Sequence, residues 1–362
     1  MEGGLSLRWG VVSALLPGWE GVQEVEVVLP GEPPSRAILF LDLLPPLEVG
    51  ARCLLNTTAT ELGLGSGGYH LVVSHDRATC RQVEGGHLMK LRYTPFQVKV
   101  NGPEDPADPR HPLLEKAKGL EGMAVVAIEL QSQLAPVAAA FHGRCPGGRL
   151  AYIMTDEGAL PFRFARDAQS LRRVGLLAGT ITAGQAFGGD LEAVNVYSAL
   201  LIARHILRAD AAVIGIGPGL LGSATPFGHG GVAQGEALNA VLALGGRPLA
   251  VPRLSGAEGR LRHRGLSHHT AAVLGQVVLR PVTVVLPPGA PPEIRRSLLD
   301  LRKSGGPAHK VVEESAPEGW SEALTKAGVT LRSMGRGYAD DPLFFEAAAA
   351  GGSLVGRWAR EE

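Results

Sequence analysis

Apolar positions follow two different rhythms along this chain, and the change falls near residue 120. Before it, the segments "RWGVVSAL", "VQEVEVVL", "SRAILFLDLL", "GARCLLNT" and "GYHLVVSH" are short, rich in Val, Leu and Ile, and separated by Gly, Pro and Asn. That punctuation marks strands joined by turns, and none of these segments keeps a helical apolar period beyond two turns. Five strands at this spacing predict a small closed or half-closed β-barrel of the SH3 or OB kind, because closure removes edges that would otherwise pair with other chains. "GHLMKLRYTPFQVKV" adds one more strand, and "NGPEDPADPRHP" then packs four prolines among charges, the composition of a domain boundary or a long surface loop.

Beyond residue 120, strand and helix patterns alternate for some two hundred residues. "GMAVVAIEL" reads as a strand buried on both faces, and "SQLAPVAAAFHG" has helical composition. "RLAYIMTD", "LLAGTIT", "AAVIGIG", "RPLAVPRL", "PVTVVLP" and "HKVVEE" are further strands. Between and after them "PFRFARDAQSLRRVG", "DLEAVNVYSALLIARHIL", "GGVAQGEALNAVLALGG", "SHHTAAVLGQVV", "PPEIRRSLLDLRK" and "GWSEALTKAG" are helical, and "DDPLFFEAAAAGGSLVGRWAREE" closes the chain as a helix. This alternation predicts an α/β fold: a Rossmann-like domain with a mainly parallel sheet, helices on both faces and right-handed crossovers. The expected division is a β-barrel over 1–98, a connector over 99–119 and an α/β ligand-binding domain over 120–362.

In open parallel sheets, ligands bind beyond the carboxyl ends of the strands. Four successive strand ends here lead into small, polar or glycine-rich segments, while the strand starts do not. Thr155, Asp156 and Glu157 follow "RLAYIM". Thr182, Gly184, Gln185 and then Gly188, Gly189 and Asp190 follow "LLAGTI". "GIGPGLLGSATPFGHGG" follows "AAVI", and Arg253, Ser255 and then "HRGLSHHT" follow "RPLAV". This asymmetry places a candidate site at that rim of the sheet. Gly215, Gly217, Gly219, Gly222 and Thr225 can cradle an anion, since glycines let backbone N–H groups approach it. The dinucleotide fingerprint is departed from: Pro218 interrupts it, about fifteen residues separate strand from helix, and Arg253 stands where an acid is usual. No Gly-Lys-Ser/Thr occurs, which excludes a Walker loop. A phosphate or carboxylate cradle, a nicotinamide site and a structural loop stay open.

The stretch "HRGLSHHT" holds three histidines. Ser267 is placed as a helix N-cap, with His268 and His269 in the first turn. A helix N-terminus disfavours positive charge, so these imidazoles are expected neutral, able to bind metal or to exchange protons. His263, His268 and His269 are therefore candidates for acid, base, metal ligand or plain capping, with Asp156 and Asp190 as base or ligand. A divalent metal stays open. Adjacent helix residues point about 100° apart, which makes His263 plus one of the pair the easier metal geometry. Arg253, Arg262 and Arg264 suit an anionic ligand, which a guanidinium grips in bidentate fashion; Ser255 and Ser267 join them as ligand-binding hydroxyls. Glu157, the Glu236 and Asn239 pair one helical turn apart, and Arg336 between glycines are weaker candidates, and N-capping is an alternative for Asp190. There is no G-x-S-x-G, no H-E-x-x-H and no catalytic-cysteine signature.

Composition narrows the partners. With 362 residues and 45% hydrophobic content there is ample core for two domains. Lys+Arg and Asp+Glu balance at 35 each, which argues against nucleic acid as a partner. "RATCRQVEGGHLMKLR" supplies some positive charge without the aromatic surface that single strands stack on. Cys53, Cys80 and Cys145 are odd in number and far apart, which fits reduced thiols. No leader pattern and no apolar run of about 18 residues is found, so a soluble cytoplasmic protein without a membrane partner is expected. A homo-oligomer stays open.

The stretches "LLNTTATELGLGSGGYHLVV", "GHLMKLRYTPFQ", "YIMTDEGALP", "TAGQAFGGDLEAVNVYSALLIARH", "GPGLLGSATPFGHGGVAQGEALNA", "HRGLSHHT" and "SMGRGYADDPLFF" span nearly the whole chain. In them the sequence resembles a bacterial family built on a conserved domain of unknown function, found largely in actinobacteria and Gram-positive relatives. That resemblance implies no activity, substrate or cofactor. The strand-end pattern itself points to an enzyme acting on a small anionic metabolite, phosphorylated or nucleotide-like; it does not give the reaction class, for which hydrolase or transferase type is the least committal expectation. The alternative is a non-catalytic effector-binding sensor or scaffold that uses the barrel to contact a partner.

Overall fold

The computed structural model describes residues 4–65, 67–79 and 86–361; Cys80 lies outside them. The chain divides into two compact units, Met1–Gly85 with Thr94–Val98, and Gly86–Tyr93 with Lys99–Glu362. Residues 86–93 and 99–119 thus group with the larger unit. The latter stretch carries a short helix, His111–Lys116.

The first unit is a closed five-stranded barrel. Its strands are β1 (Leu7–Trp19), β2 (Val22–Val28), β3 (Ser35–Phe40), β4 (Arg52–Asn56) and β5 (His70–His75). All neighbours pair antiparallel except β3 and β5, where Ala37 and Ile38 face His70 and Leu71 in parallel. Alternate side chains point inward, as the strand period of two requires. Val12, Val25, Val27, Ala37, Leu39, Cys53 and Leu55 fill the interior. The Cys53 thiol is buried and free, and burial pushes its pKa up to about 11.

The second unit is built on an eight-stranded parallel sheet. In chain order its strands are β6 (Ala124–Ala127), β7 (Leu150–Thr155), β8 (Gly179–Thr182), β9 (Leu191–Glu192), β10 (Ala211–Ile216), β11 (Arg247–Ala250), β12 (Thr283–Leu286) and β13 (Lys310–Glu313). In space they run β9-β8-β7-β10-β6-β11-β12-β13. Every residue of β6, β7 and β10 is buried, because helices cover both faces. Successive residues of one strand enter opposite cores: Ala124 and Val126 join one, Val125 and Ala127 the other. Helices α1 (Leu134–Arg144) and α8 (Pro342–Glu361) belong to the first face. On the second lie α3 (Val196–Leu201), α4 (Val232–Ala243), the turn with Val273 and Leu274 that continues α5 (His268–Ala272), and α6 (Pro292–Asp300). Helices α2 (Arg166–Arg173) and α7 (Trp320–Lys326) pack against α1. Among the described residues, no helix is long and apolar enough to cross a membrane.

One element differs from its sequence pattern. "DLEAVNVYSALLIARHIL" is a helix only from Val196, because the Asn195 side chain accepts from the Ser198 N–H and starts the helix there. The preceding Leu191–Glu192 forms an edge strand beside Ile181 and Thr182. Asp190 therefore caps no helix.

Helix α8 lies close to α1 because its buried face is built of alanine and glycine. A Cβ at Gly352 would come within 2.1 Å of the Val137 carbonyl oxygen. Glycine inside a helix costs about 1 kcal/mol relative to alanine, so its presence here reflects this close approach. Gly352→Leu is expected to lower the unfolding free energy by about 3 kcal/mol in urea titration, the upper range for overpacking. Gly259→Ala, where a Cβ meets no atom within 4 Å, should change it by less than about 0.5 kcal/mol.

Candidate functional site

Strand order fixes where a ligand can sit. From β6 the chain leaves toward β7 through α1 on one face; from β10 it leaves toward β11 through α4 on the other. β6 and β10 are neighbours, so their exit loops diverge and open a crevice between them, the topological switch point of a parallel sheet. A cavity of about 460 Å³ lies there. Leu130, Gln131 and Ser132 line it after β6, and Gly217, Gly219 and Gly222 after β10. Arg253 enters from the end of β11, with Arg260, Arg262, His263 and His269 from the segment beyond it and Arg332 and Ser333 from a short ribbon near the C-terminus. Among the described residues no carboxylate lines this cavity.

Behind its wall sits Glu129, at the carboxyl end of β6 and only 1% exposed. Its Oε1 accepts from His269 Nδ1 at 3.1 Å and from Arg253 at 3.4 Å; its Oε2 accepts from the Thr270 hydroxyl at 2.9 Å. Burial alone would raise the pKa of this carboxyl. The bond from His269 and the charge of Arg253 more than offset that and hold it below its ordinary value. A carboxylate only accepts, so His269 carries its proton on Nδ1 and presents Nε2 for other work.

The other imidazoles crowd the same corner. Ser267 caps α5 by accepting from the His269 N–H at 3.2 Å, and its hydroxyl also meets His263 Nδ1 at 2.8 Å. His229, from the loop after β10, stacks flat on His269 with ring centroids 3.7 Å apart. His268 lies beside His269, with centroids 4.4 Å apart. Burial, then the charge of Arg253, pushes the His263 pKa down to about 3. Burial likewise lowers the pKa of His229 and of His268, reinforced in both by His269. His263, His229 and His268 are therefore neutral near pH 7, each with one unprotonated ring nitrogen.

The arginines divide into two kinds. Arg253 is 3% exposed and set between Glu129 and Glu258, and Arg260 grips Glu258 through two nitrogens. Glu258 is also reached by Arg336. The Arg260 hydrogen bond, with Arg336 adding its charge, brings its pKa to about 2. The side chains of Arg262 and Arg332 line the cavity with no hydrogen bond or ion pair to any described residue. Two of the four guanidiniums are thus offset by carboxylates behind them and two are not.

A family model described as "Protein of unknown function (DUF3866)" matches residues 36–352. The chain belongs to this family. No curated protein matches it in sequence. The match includes the whole cavity lining, Leu130 to Met334, so this pocket is part of the DUF3866 domain, and that description assigns no role to it.

Of the residues singled out from sequence, this DUF3866 chain brings together His263, His269, Arg253, Gly217, Gly219, Gly222 and Arg262 around the cavity, with His268 and Ser267 directly behind. The rest have other work. Asp156 accepts from the Gln185 N–H at 2.6 Å and so secures the turn at Gly184, whose φ is +66°. Asp190 accepts from the Thr180 N–H and hydroxyl and pairs with Arg172, at the sheet edge. Glu157 accepts from the Thr155 hydroxyl. Gly215 is a strand residue whose Cβ would strike Ile128 at 2.4 Å. Thr225 braces an exposed turn through Ser223 and the Gly228 N–H. Ser255 is tied to Asp341 and Arg264 to the Glu258 carbonyl. Glu236 is exposed and Asn239 bonds the backbone at Val277 and Leu279. Arg336 bridges Asp341 and Glu258. Glu129, Glu258, His229 and Arg332 escaped the sequence analysis, whereas Arg260 belongs to the basic stretch Arg253 to Arg264 that the sequence marks as suited to a small anion. The strand-end rule, applied to "GMAVVAIEL", finds Glu129.

Glu258 gives a pH signature. Its carboxyl titrates near 2 when folded and near 4.5 otherwise, so it contributes stability above about pH 4.5 that is lost as pH falls through about 2. Glu258→Gln should lower the melting temperature at pH 7, by leaving Arg253 and Arg336 short of a partner, and should flatten the acid decline between those values. Parallel wild-type and variant melting curves across that range would contradict this.

Proposed function

We propose that this protein is an enzyme that binds a small anionic metabolite, phosphorylated or nucleotide-like, and acts on it by hydrolysis or group transfer. One observation carries the reading: a cavity lined by four arginines and by no carboxylate among the described residues, with the ring of His269 in its wall. Among the described residues the Arg262 and Arg332 side chains have no hydrogen-bond or ion-pair partner, which suits a ligand bearing about two negative charges, such as a phosphate monoester. Guanidinium forks match phosphate oxygens and bind them more strongly than neutral donors do. The volume, about 460 Å³, falls within the range of small-molecule sites, about 300–1,000 Å³. Gly217 packs on the Ala159 backbone, where a Cβ would come within 2.4 Å of its carbonyl oxygen, while Gly219, whose Cβ would meet no atom within 4 Å, keeps the wall thin so that ligand and backbone can approach. His269, oriented by Glu129, supplies the reacting side of the pocket, and positive charge fixed in advance opposite a developing negative charge is the usual source of rate in such chemistry.

A second reading, a non-catalytic effector sensor, is favoured by one feature of the barrel. Trp9, Val11 and Leu15 stand exposed on the outward face of β1, an apolar row that fits a partner protein. Turnover of a phosphorylated substrate that is lost in His269→Asn separates the enzyme from the sensor. A cytoplasmic location belongs to the same proposal and rests on Cys53 and Cys145, both free and buried.

Isothermal titration with orthophosphate, pyrophosphate and nucleoside phosphates tests the pocket. Arg262→Ala and Arg332→Ala should each weaken binding roughly tenfold or more, since a hydrogen bond to a charged group contributes about 1.5–3 kcal/mol. Arg264→Ala, outside the cavity, should leave it unchanged. Equal affinity in all three variants, or no binding by the parent, sinks the reading.

A further inference from the structure

We propose that His263, His268 and His269 form a three-imidazole site for a divalent transition-metal ion of the zinc type, with an open position toward the arginine-lined cavity. The site stands on histidine geometry alone; what it does to an anionic ligand rests on the reading above.

One ring nitrogen of each residue lies within 4.8 Å of those of the other two. Two of the rings are held by hydrogen bonds at Nδ1, His269 by Glu129 and His263 by the Ser267 hydroxyl. That leaves Nε2 of both for a shared ion. Metal-bound histidines characteristically spend their other nitrogen on a carboxylate or another oxygen, which fixes ring and tautomer. The Ser267 hydroxyl accepts from the His269 N–H, and an ion on His263 Nε2 requires it to accept from Nδ1–H of His263 as well. The third ring, His268, buries its Nε2 with no hydrogen-bond partner among the described residues. A buried polar atom left unsatisfied costs about 1–3 kcal/mol, and an ion removes that cost. His229 stacks on His269 and limits its rotation.

Sequence spacing alone disfavoured the adjacent pair, because regular helix points neighbouring side chains apart. At the first turn of α5 the His268 and His269 rings nonetheless come together at 4.4 Å. A tetrahedral ion with Zn–N of about 2.0–2.1 Å sets ligand nitrogens about 3.4 Å apart, so binding draws the three rings inward by an ångström or so, a movement that side-chain torsions supply. Three imidazoles and no carboxylate exclude calcium and magnesium, which take oxygen ligands, and suit zinc, cobalt, nickel or copper. Glu129 sits behind His269 and offsets the repulsion that Arg253 would exert on a dication. The open position would hold a water molecule or an oxygen of the anion.

The test uses the full chain made without a histidine tag, stripped with chelator and titrated with cobalt(II) alone. Expected is about one ion per chain by mass spectrometry, with the strong visible bands of tetrahedral cobalt, displaced by zinc. His263→Gln and His268→Gln should abolish the bands while circular dichroism stays native. Glu129→Gln should weaken binding about 10–100-fold, and His87→Ala, an exposed histidine, should not alter it. Wild-type stoichiometry far below one, or undiminished bands in both glutamine variants, overturns the proposal. Phosphate titration of the metal-free protein separates the two readings. Phosphate bound without cobalt uptake defeats the metal site alone; cobalt bound without phosphate uptake supports the metal site and defeats the anion pocket.

Discussion

A carboxylate withdrawn from water organises this molecule. Glu129 would cost several kcal/mol to bury as an isolated ion, and its surroundings supply what it needs: the Arg253 guanidinium, the Nδ1–H of His269 and the Thr270 hydroxyl. Those partners come from the end of β11 and from α5, so one charged group ties three separate segments of chain at a single point. The same bond chooses the tautomer of His269. Structural satisfaction of Glu129 and chemical readiness of the imidazole are the same interaction seen from its two ends.

The sheet supplies the place for it. Because β10 inserts between β7 and β6, neighbouring exit loops part toward opposite faces, and the gap is lined by those loops, by the segment after the next strand and by the short ribbon that carries Arg332. They bring glycines on one side and arginines on the other. Arg253 and Arg260 are offset by Glu129 and Glu258, which keeps a cationic pocket from repelling itself apart, while the exposed Arg262 and Arg332 keep their charge for a ligand. The family match covers this arrangement and, of the barrel, the part from β3 onward.

Much of the architecture was legible in the sequence. The barrel and the parallel sheet followed from periodicity, since a strand buried on both faces cannot alternate and a half-buried one must. The rim of the sheet that carries the pocket followed from the polarity of the strand ends. The strand order did not, because alternation says that strands are parallel without saying which are neighbours. Hence Asp156 and Asp190, both at strand ends, were grouped with the histidines, although each is consumed by local backbone: Asp156 by the turn at Gly184 and Asp190 by Thr180. Glu129 was hidden for the opposite reason. Its run reads as continuous core, and one acid at its end looks like an interruption until the neighbours are known. Arg332 sits in the same ribbon as Arg336, the residue that drew notice for its flanking glycines, yet only Arg332 reaches the cavity; turn chemistry does not say which way a side chain points.

The most direct test of the account is nitrogen-15 NMR of the histidine side chains near neutral pH, with His269 assigned through His269→Asn. If Glu129 is the ionised centre described here, the His269 ring holds a slowly exchanging proton on Nδ1, shifted downfield by its bond to a carboxylate, and that signature moves in Glu129→Gln. A ring found protonated on Nε2 alone, and indifferent to residue 129, would contradict it.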